Sequence, residues 1–272
     1  MVLAKMRLNL IVVFSAIMGY IFAGTAAASS LVWLFLGGFL VTMSSNTINQ
    51  ILERDFDKLM KRTQNRPIPN GRVGVMEAWL IAGISGLLGL VILWMFFNPI
   101  ASLLGALSLF VYAFIYTPMK RFSPLAVFIG AIPGALPPMI GWAAATGGLT
   151  FEAWVLFSFQ FLWQFPHFWA IAWLAFEDYK KAGYKLLPDG EKTNNMPIQS
   201  IIYCLALAFL AFVPFYFEMI SLTVALVCAI AAVFYMVPAI RLLRNKDDVH
   251  AKQLMYASFL YLPVVFTALV IG

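Results

Sequence analysis

The sequence predicts an all-α polytopic membrane protein with nine transmembrane helices, and three observations predict it. The 272-residue chain is 62% hydrophobic and only 11% charged, whereas a soluble domain carries about a quarter charged residues. Apolar runs of roughly 17–25 residues, the length that crosses one bilayer, recur from end to end. All 18 Lys and Arg residues fall at the N-terminus or in alternate loops between those runs, the asymmetry that positive-inside insertion produces.

The first run, at about 8–25, follows Lys5 and Arg7 and ends in AGTAAASS. That stretch imitates a secretory signal with a small-residue cleavage site. Removing it would break the charge parity of every later loop, so it is read as a helix. The second run, 31–50, ends in NQILERDFD, and the loop after it carries Arg54, Lys58, Lys61, Arg62, Arg66 and Arg72. The third and fourth runs, 76–97 and 100–117, form a hairpin that returns to Lys120 and Arg121. The fifth, 124–146, contains Pro133, Pro137 and Pro138 among glycines. Proline kinks a span and glycine allows close approach, so this helix either shapes a cavity or packs tightly. The sixth, 152–176, leads into Lys180, Lys181, Lys185 and Lys192. The seventh and eighth, 198–217 and 219–240, lead to Arg241, Arg244, Lys246 and Lys252 before the ninth, 253–272. The expected topology has a cytoplasmic N-terminus, an outside C-terminus and one membrane domain over residues 1–272. The net charge of +6 follows from this topology and does not point to nucleic acid. Cys204 and Cys228 fall within spans and read as core thiols, with no disulfide framework.

The spans are nearly empty of titratable groups, with His167 the exception among Asp, Glu, Lys, Arg and His well inside one. Ten of the twelve acids lie on the basic side, all but Glu152 and Glu218. A proton-coupled transporter uses buried carboxylates along a path, and no such path is visible. What remains is a polar cap on one end of an apolar bundle, suited to a substrate with an anionic head and an apolar body. Within that cap Asn49, Glu53 and Asp57 are spaced i, i+4, i+8, one stripe of a helix. Asn46 joins that face and Asp55 points roughly away. Three oxygen-bearing side chains in line suit a hard cation such as Mg²⁺, which keeps waters and bridges carboxylates to substrate phosphates. The bland alternative is a solvated helix end.

Basic residues follow at once. Arg62 and Arg66 are candidate diphosphate contacts, since arginine forms bidentate phosphate contacts. They also serve as positive-inside markers. Tyr116 and Lys120 in YTPMK are i, i+4, a phenol and an ammonium on one helix face. In WQFPHFWAIAWLAFEDY, Gln164, His167 and Asp178 share a face, with Asp178 at the charged end. His167 follows Pro166 and lies among Trp163, Phe165, Phe168, Trp169 and Trp173. That surrounding suits a flat aromatic ligand as well as an ordinary core.

The chain resembles the UbiA superfamily of intramembrane prenyltransferases. Asn49, Glu53 and Asp57 with Arg62-Thr63 and Asn65-Arg66-Pro67 are similar to its first Asp-rich motif. Tyr116 and Lys120 are similar to its tyrosine–lysine motif, and Asp178 falls where its second Asp-rich motif sits. Leu174 and Ala182 stand where that motif would carry another Asp, so Asp178 is alone. Within the superfamily, Glu53 at the middle position, MKRT with Met60, PGALPPMIGWAAATG and WQFPHFWAIAW with EDYKKAGYKLLP are similar to the branch that farnesylates haem. The resemblance implies transfer of a farnesyl group from farnesyl diphosphate to a vinyl group of haem B, with addition of water, giving haem O. It implies Mg²⁺ on Asn49, Glu53, Asp57 and Asp178. Diphosphate would lie on Arg62, Arg66, Tyr116 and Lys120, with His167 as a haem-binding or catalytic group. It further implies a cell-membrane location, contact with membrane lipid, and a haem A synthase or terminal oxidase as a partner. The rival readings are a quinone-precursor prenyltransferase of the same fold, a secondary transporter and a non-catalytic assembly factor.

Overall fold

The structure, a computed structural model, describes residues 6–24 and 27–272. Thr25 and Ala26, within the AGTAAASS stretch, and Lys5 lie outside the described residues. Nine principal helices are found among those described: α1 Met6–Phe22, α2 Ala28–Leu52, α3 Val75–Phe96, α4 Pro99–Phe110, α5 Leu125–Thr146, α6 Phe151–Leu174, α7 Asn195–Leu210, α8 Leu222–Asn245 and α9 Asp248–Ile271. No strand occurs among the described residues.

Seven of the described helices are long and apolar enough to cross a membrane, not the nine expected. α1 falls short in length, its apolar part being Asn9–Phe22. α6 is long enough at 24 residues, but Gln160, Gln164, His167 and four tryptophans lower its hydropathy. These are the residues that set it apart chemically from its neighbours.

Two spans end differently from their expected single helices. α4 widens into a π-helical stretch, Val111–Tyr116, before a last turn at Thr117–Met119. Such bulges open a helix by one residue per turn and are frequent at functional sites. α7 stops at Leu210, and a separate turn, Val213–Tyr216, completes the seventh run where Pro214 follows.

α5 packs against α1, α4 and α6, and at 72% it has the largest buried share of any of these spans. Its prolines explain both its shape and its partners. Pro137 and Pro138 lack the N–H that would bond the carbonyls of Pro133 and Gly134, four residues back. A carbonyl left unmatched in hydrocarbon costs several kcal/mol, about the cost of a lost hydrogen bond in an apolar medium. Ser108 of α4 donates its hydroxyl to the Pro133 carbonyl at 3.2 Å. The Gln160 amide of α6 donates to the Gly134 carbonyl at 2.7 Å. The proline cluster therefore stitches three helices together.

Glycine does the rest at the α1–α5 contact. A Cβ at Gly141 would stand 1.8 Å from the Ala16 carbonyl oxygen, and one at Gly19 would stand 2.1 Å from that of Pro138. Both obstacles are backbone, so neither can swing aside. Gly141→Ala is expected to destabilise the folded protein by about 1–3 kcal/mol, the usual cost of overpacking. Gly83→Ala in α3, whose Cβ meets nothing within 4 Å, should leave the thermal midpoint in detergent unchanged. Equal midpoints for the two variants would refute this account of the α1–α5 contact.

Candidate active site at the charged end of the bundle

α2 buries every residue from Ser44 to Ile51, so its polar face turns inward as it nears the charged end. The continuous stripe expected through Asn49, Glu53 and Asp57 is interrupted. α2 ends at Leu52, Glu53 takes φ −96° and ψ 4°, and a separate turn runs Arg54–Asp57. The i to i−4 ladder survives the kink, because Glu53 N–H bonds Asn49 O at 3.0 Å and Asp57 N–H bonds Glu53 O at 2.7 Å. The three side chains stay on one buried face. Asp57 is 0% and Glu53 5% exposed, whereas the Asp55 side chain is 65% exposed.

Each buried acid meets a base. Lys120 Nζ donates to Glu53 Oε1 at 2.8 Å, and lies 4.5 Å from the centre of the Tyr116 ring. Arg66 Nη1 reaches Asp57 at 2.9 Å to Oδ1 and 2.7 Å to Oδ2. The Asn49 amide donates to Thr117 Oγ1 at 3.0 Å, and Thr117 donates in turn to the Tyr112 carbonyl at 2.8 Å. The π-helical stretch of α4 creates that acceptor position, since Thr117 N–H also reaches Tyr112 O, five residues back. Burial pushes the Asp57 carboxyl above the usual carboxylate range, and Arg66 only partly draws it back. Burial pulls the Lys120 ammonium down, but Glu53, with Tyr112, more than reverses this and the net shift is upward.

A second layer comes from the chain after α6. α6 ends at Leu174, and Ala175 kinks the chain before the turn Phe176–Lys181, with the i to i−4 bonds kept from Ala175 N–H to Ile171 O and from Tyr179 N–H to Ala175 O, both 2.9 Å. Asp178 accepts from the Arg62 backbone N–H at 3.3 Å, and Arg62 Nη2 donates to the Tyr179 hydroxyl at 3.1 Å. Lys185 N–H bonds the Lys120 carbonyl at 2.9 Å. Between these ties sits Tyr184, buried against Phe56 and Tyr179. Its hydroxyl stands beside the Glu53 carboxylate. Burial raises its pKa, and the negative charges of Glu53 and Asp57 raise it further. Tyr184 and Thr117 carried no sequence signal of their own. A loop tyrosine and a helix-end threonine are ordinary residues until the fold brings carboxylates to them.

The structure thus joins Asn49, Glu53, Asp57, Arg62, Arg66, Tyr116, Lys120 and Asp178 into one network. His167 is not part of it. His167 is stacked on Trp163 with ring centroids 4.8 Å apart, and its Nδ1 lies 2.7 Å from Ser258 Oγ of α9. Asn46 also leaves the stripe, pairing with Asn9 of α1 at 2.8 Å.

The residues fit a shared cation and not a closed cage. Among the described residues no group of three or more His, Cys, Asp or Glu side chains is gathered closely enough to hold a metal alone. Two buried carboxylates suit Mg²⁺ only where substrate oxygens and water complete its shell. Of the expected ligand set, Asn49, Glu53 and Asp57 share one buried face, while Asp178 comes from the chain after α6 and accepts from the Arg62 backbone N–H.

The model of the UbiA prenyltransferase family matches residues 12–262. The chain belongs to that family. As a member it is a multi-pass membrane enzyme, a prenyltransferase. It is 47% identical to the protoheme IX farnesyltransferase of Cytophaga hutchinsonii over 99% of this chain and 95% of that one. It is 42% identical to that of Christiangramia forsetii over 97% and 89%, and 36% identical to the mitochondrial one of Arabidopsis thaliana over 99% and 63%. Its fold is similar to that of a digeranylgeranylglyceryl phosphate synthase, with a TM-score of 0.81 at 19% identity over 100% and 96% of the two chains. It is also similar to a UbiA homologue of Archaeoglobus fulgidus bound to GPP and Mg²⁺, with a TM-score of 0.69 at 18% identity over 98% and 99%.

The ion pairs make a prediction independent of substrate. Glu53→Gln strands the Lys120 ammonium in a buried position, which costs about 3–5 kcal/mol. Adding Lys120→Met removes the stranded charge and should recover most of the loss in unfolding experiments in detergent. A double variant less stable than the single one would contradict a direct Glu53–Lys120 pairing.

Proposed function

We propose that this enzyme transfers a farnesyl group from farnesyl diphosphate to a vinyl group of haem B, with addition of water, giving haem O and diphosphate. The observation that carries this reading is the end-to-end similarity to protoheme IX farnesyltransferases, at 47% identity over 99% of the chain. The charged network supports it. A cluster that matches two carboxylates with an ammonium and a guanidinium at the end of an apolar bundle suits a diphosphate head and an isoprenoid tail.

In this reading Asn49, Glu53, Asp57 and Asp178 would hold Mg²⁺, with substrate oxygens and water completing its shell. The Mg²⁺, when bound, supplies charge neutralisation to the departing diphosphate. Lys120 and Arg66 turn from their carboxylates to that diphosphate, with Arg62 and Tyr116 at its edge. Preorganised donors stabilise the leaving group where water is scarce. The apolar helices enclose the farnesyl tail and shield the allylic cation from bulk water. The vinyl carbon attacks that cation, and water then adds to the carbocation left on the porphyrin side chain and gives up one proton, leaving a hydroxyl. His167 binds haem or serves the water step. The basic end faces the cytoplasm of the cell membrane by the positive-inside bias. Haem O passes to a haem A synthase or a terminal oxidase.

The test is direct. Purified protein given farnesyl diphosphate, Mg²⁺ and haem B is expected to yield a pigment heavier by one farnesyl group and one hydroxyl. A product from a quinone precursor with haem unchanged would replace this reading with the quinone one. Arg66→Ala and Lys120→Ala should raise KM for farnesyl diphosphate roughly ten- to a hundred-fold, at about 1.5–3 kcal/mol per lost charged contact, with haem binding retained. Asp57→Asn should abolish most turnover, while Asp55→Asn, on the exposed face, should be close to wild type. Equal losses at 55 and 57 would sink the assignment of the stripe.

A further inference from the structure

α9 holds Ser258 fully buried against α6, and Ser258 is bonded to α6 twice. Its backbone carbonyl accepts from Trp163 Nε1 at 2.8 Å. Its hydroxyl oxygen lies 2.7 Å from His167 Nδ1. The same hydroxyl donates to the Met255 carbonyl one turn back.

A serine hydroxyl has one proton. With that proton on the Met255 carbonyl, the oxygen offers His167 only lone pairs. The short Nδ1–Oγ contact is then a hydrogen bond only if Nδ1 carries a proton and donates it. A neutral imidazole has one N–H, so Nε2 is the nitrogen with the free lone pair. No group among the described residues is hydrogen-bonded to Nε2. Trp163 stacks on one face of the ring, and Phe168 and Phe259 stand at 5.5 and 5.2 Å between centroids. The ring is thus fixed in tautomer by Ser258 and in orientation by aromatic neighbours. Metal-binding histidines use this arrangement, with one nitrogen donating to an oxygen and the other directed to the metal.

We propose that Ser258 is a positioning residue: it holds His167 as the Nδ1–H tautomer and so reserves Nε2 as the nitrogen that ligates the iron of an iron-porphyrin substrate. The tautomer rests on the Ser258 hydroxyl donating to the Met255 carbonyl; the ligand role rests on the reading of haem as the substrate. Ser258 lies 91 residues from His167 in sequence, and the nearest charged residue along its helix is Lys252.

The chain has only two histidines, so nitrogen NMR of protein labelled with ¹⁵N-histidine reads the tautomer directly. His250→Gln identifies which signals belong to His167. In the wild type, Nδ1 is expected to be protonated and Nε2 unprotonated at neutral pH. Ser258→Ala should move the population toward Nε2–H, and Ser258→Thr, which restores a hydroxyl, should move it back. In parallel, titration with ferric protoporphyrin IX is read in the visible spectrum. Ser258→Ala should weaken binding roughly tenfold or more, the usual effect of losing such a partner. His167→Ala should abolish the ligand-dependent spectral change. A wild-type ring protonated at Nε2, a tautomer indifferent to Ser258→Ala, or a porphyrin spectrum indifferent to His167→Ala would each overturn the proposal. Farnesylated haem formed by a protein that fails these tests would leave the proposed reaction standing without it. Passing the NMR and spectral tests while forming no farnesylated haem would remove the reaction and leave Ser258 in its role.

Discussion

A charge at the edge of the hydrocarbon cannot stand alone, and the charged end of this bundle is organised by that constraint. Glu53 and Asp57 are as buried as core leucines, so each must be matched. Matching Glu53 fixes the end of α4, because Lys120 must reach across to α2. Matching Asp57 folds the loop after α2 back on itself, because Arg66 lies nine residues on. The loop after α6 then attaches to both, through Arg62–Asp178 and the Lys120–Lys185 backbone bond. Buried pairs of this kind add little net stability, yet breaking one is costly. They therefore select one arrangement of these loops over the others.

The same constraint acts on the backbone inside the bundle, where its consequence is to narrow the chemistry. Pro137 and Pro138 free two carbonyls in the most buried span, and Ser108 and Gln160 are committed to them. Gln164 is likewise committed to the Ala131 carbonyl. Gln160 and Gln164 lower the hydropathy of α6, but like Ser108 they are occupied in holding helices together. His167 differs because only one of its two nitrogens is so committed.

Much of this was legible in sequence, and the reasons for the rest are physical. The helical runs and their polarity are properties of composition over some twenty residues, which neighbours do not override. The buried face of Asn49, Glu53 and Asp57 was legible because its spacing survives the kink at Glu53. The kink itself was not, since no proline or glycine marks it; Glu53 and Leu52 are ordinary helix formers. The kink at Ala175 was hidden in the same way. Tyr184 and Ser258 were invisible for a different reason. Each acts through a partner more than ninety residues away or across a loop, and a neutral hydroxyl has no spacing rule to betray it. Sequence could identify the charges but could not show that acids and bases neutralise one another before any substrate arrives.

That mutual neutralisation bears on how the proposed reaction begins. If Lys120 and Arg66 are to hold a diphosphate, they must leave Glu53 and Asp57. If those carboxylates are to share a divalent cation, they must lose their bases. Neither change is favourable alone, because each would strand a buried charge. Made together, they leave every group with a partner of opposite sign: the carboxylates go over to the cation, and the ammonium and guanidinium to the anion. The network therefore favours joint arrival of the cation and diphosphate over either one separately. In the proposed reaction, departure of the product diphosphate would reverse the exchange, and the resting pairs would re-form without an uncompensated charge. Thr117 and Tyr184, neutral throughout, need not move, and they keep the ends of α2 and α4 and the following loop in register while their charged neighbours change partners.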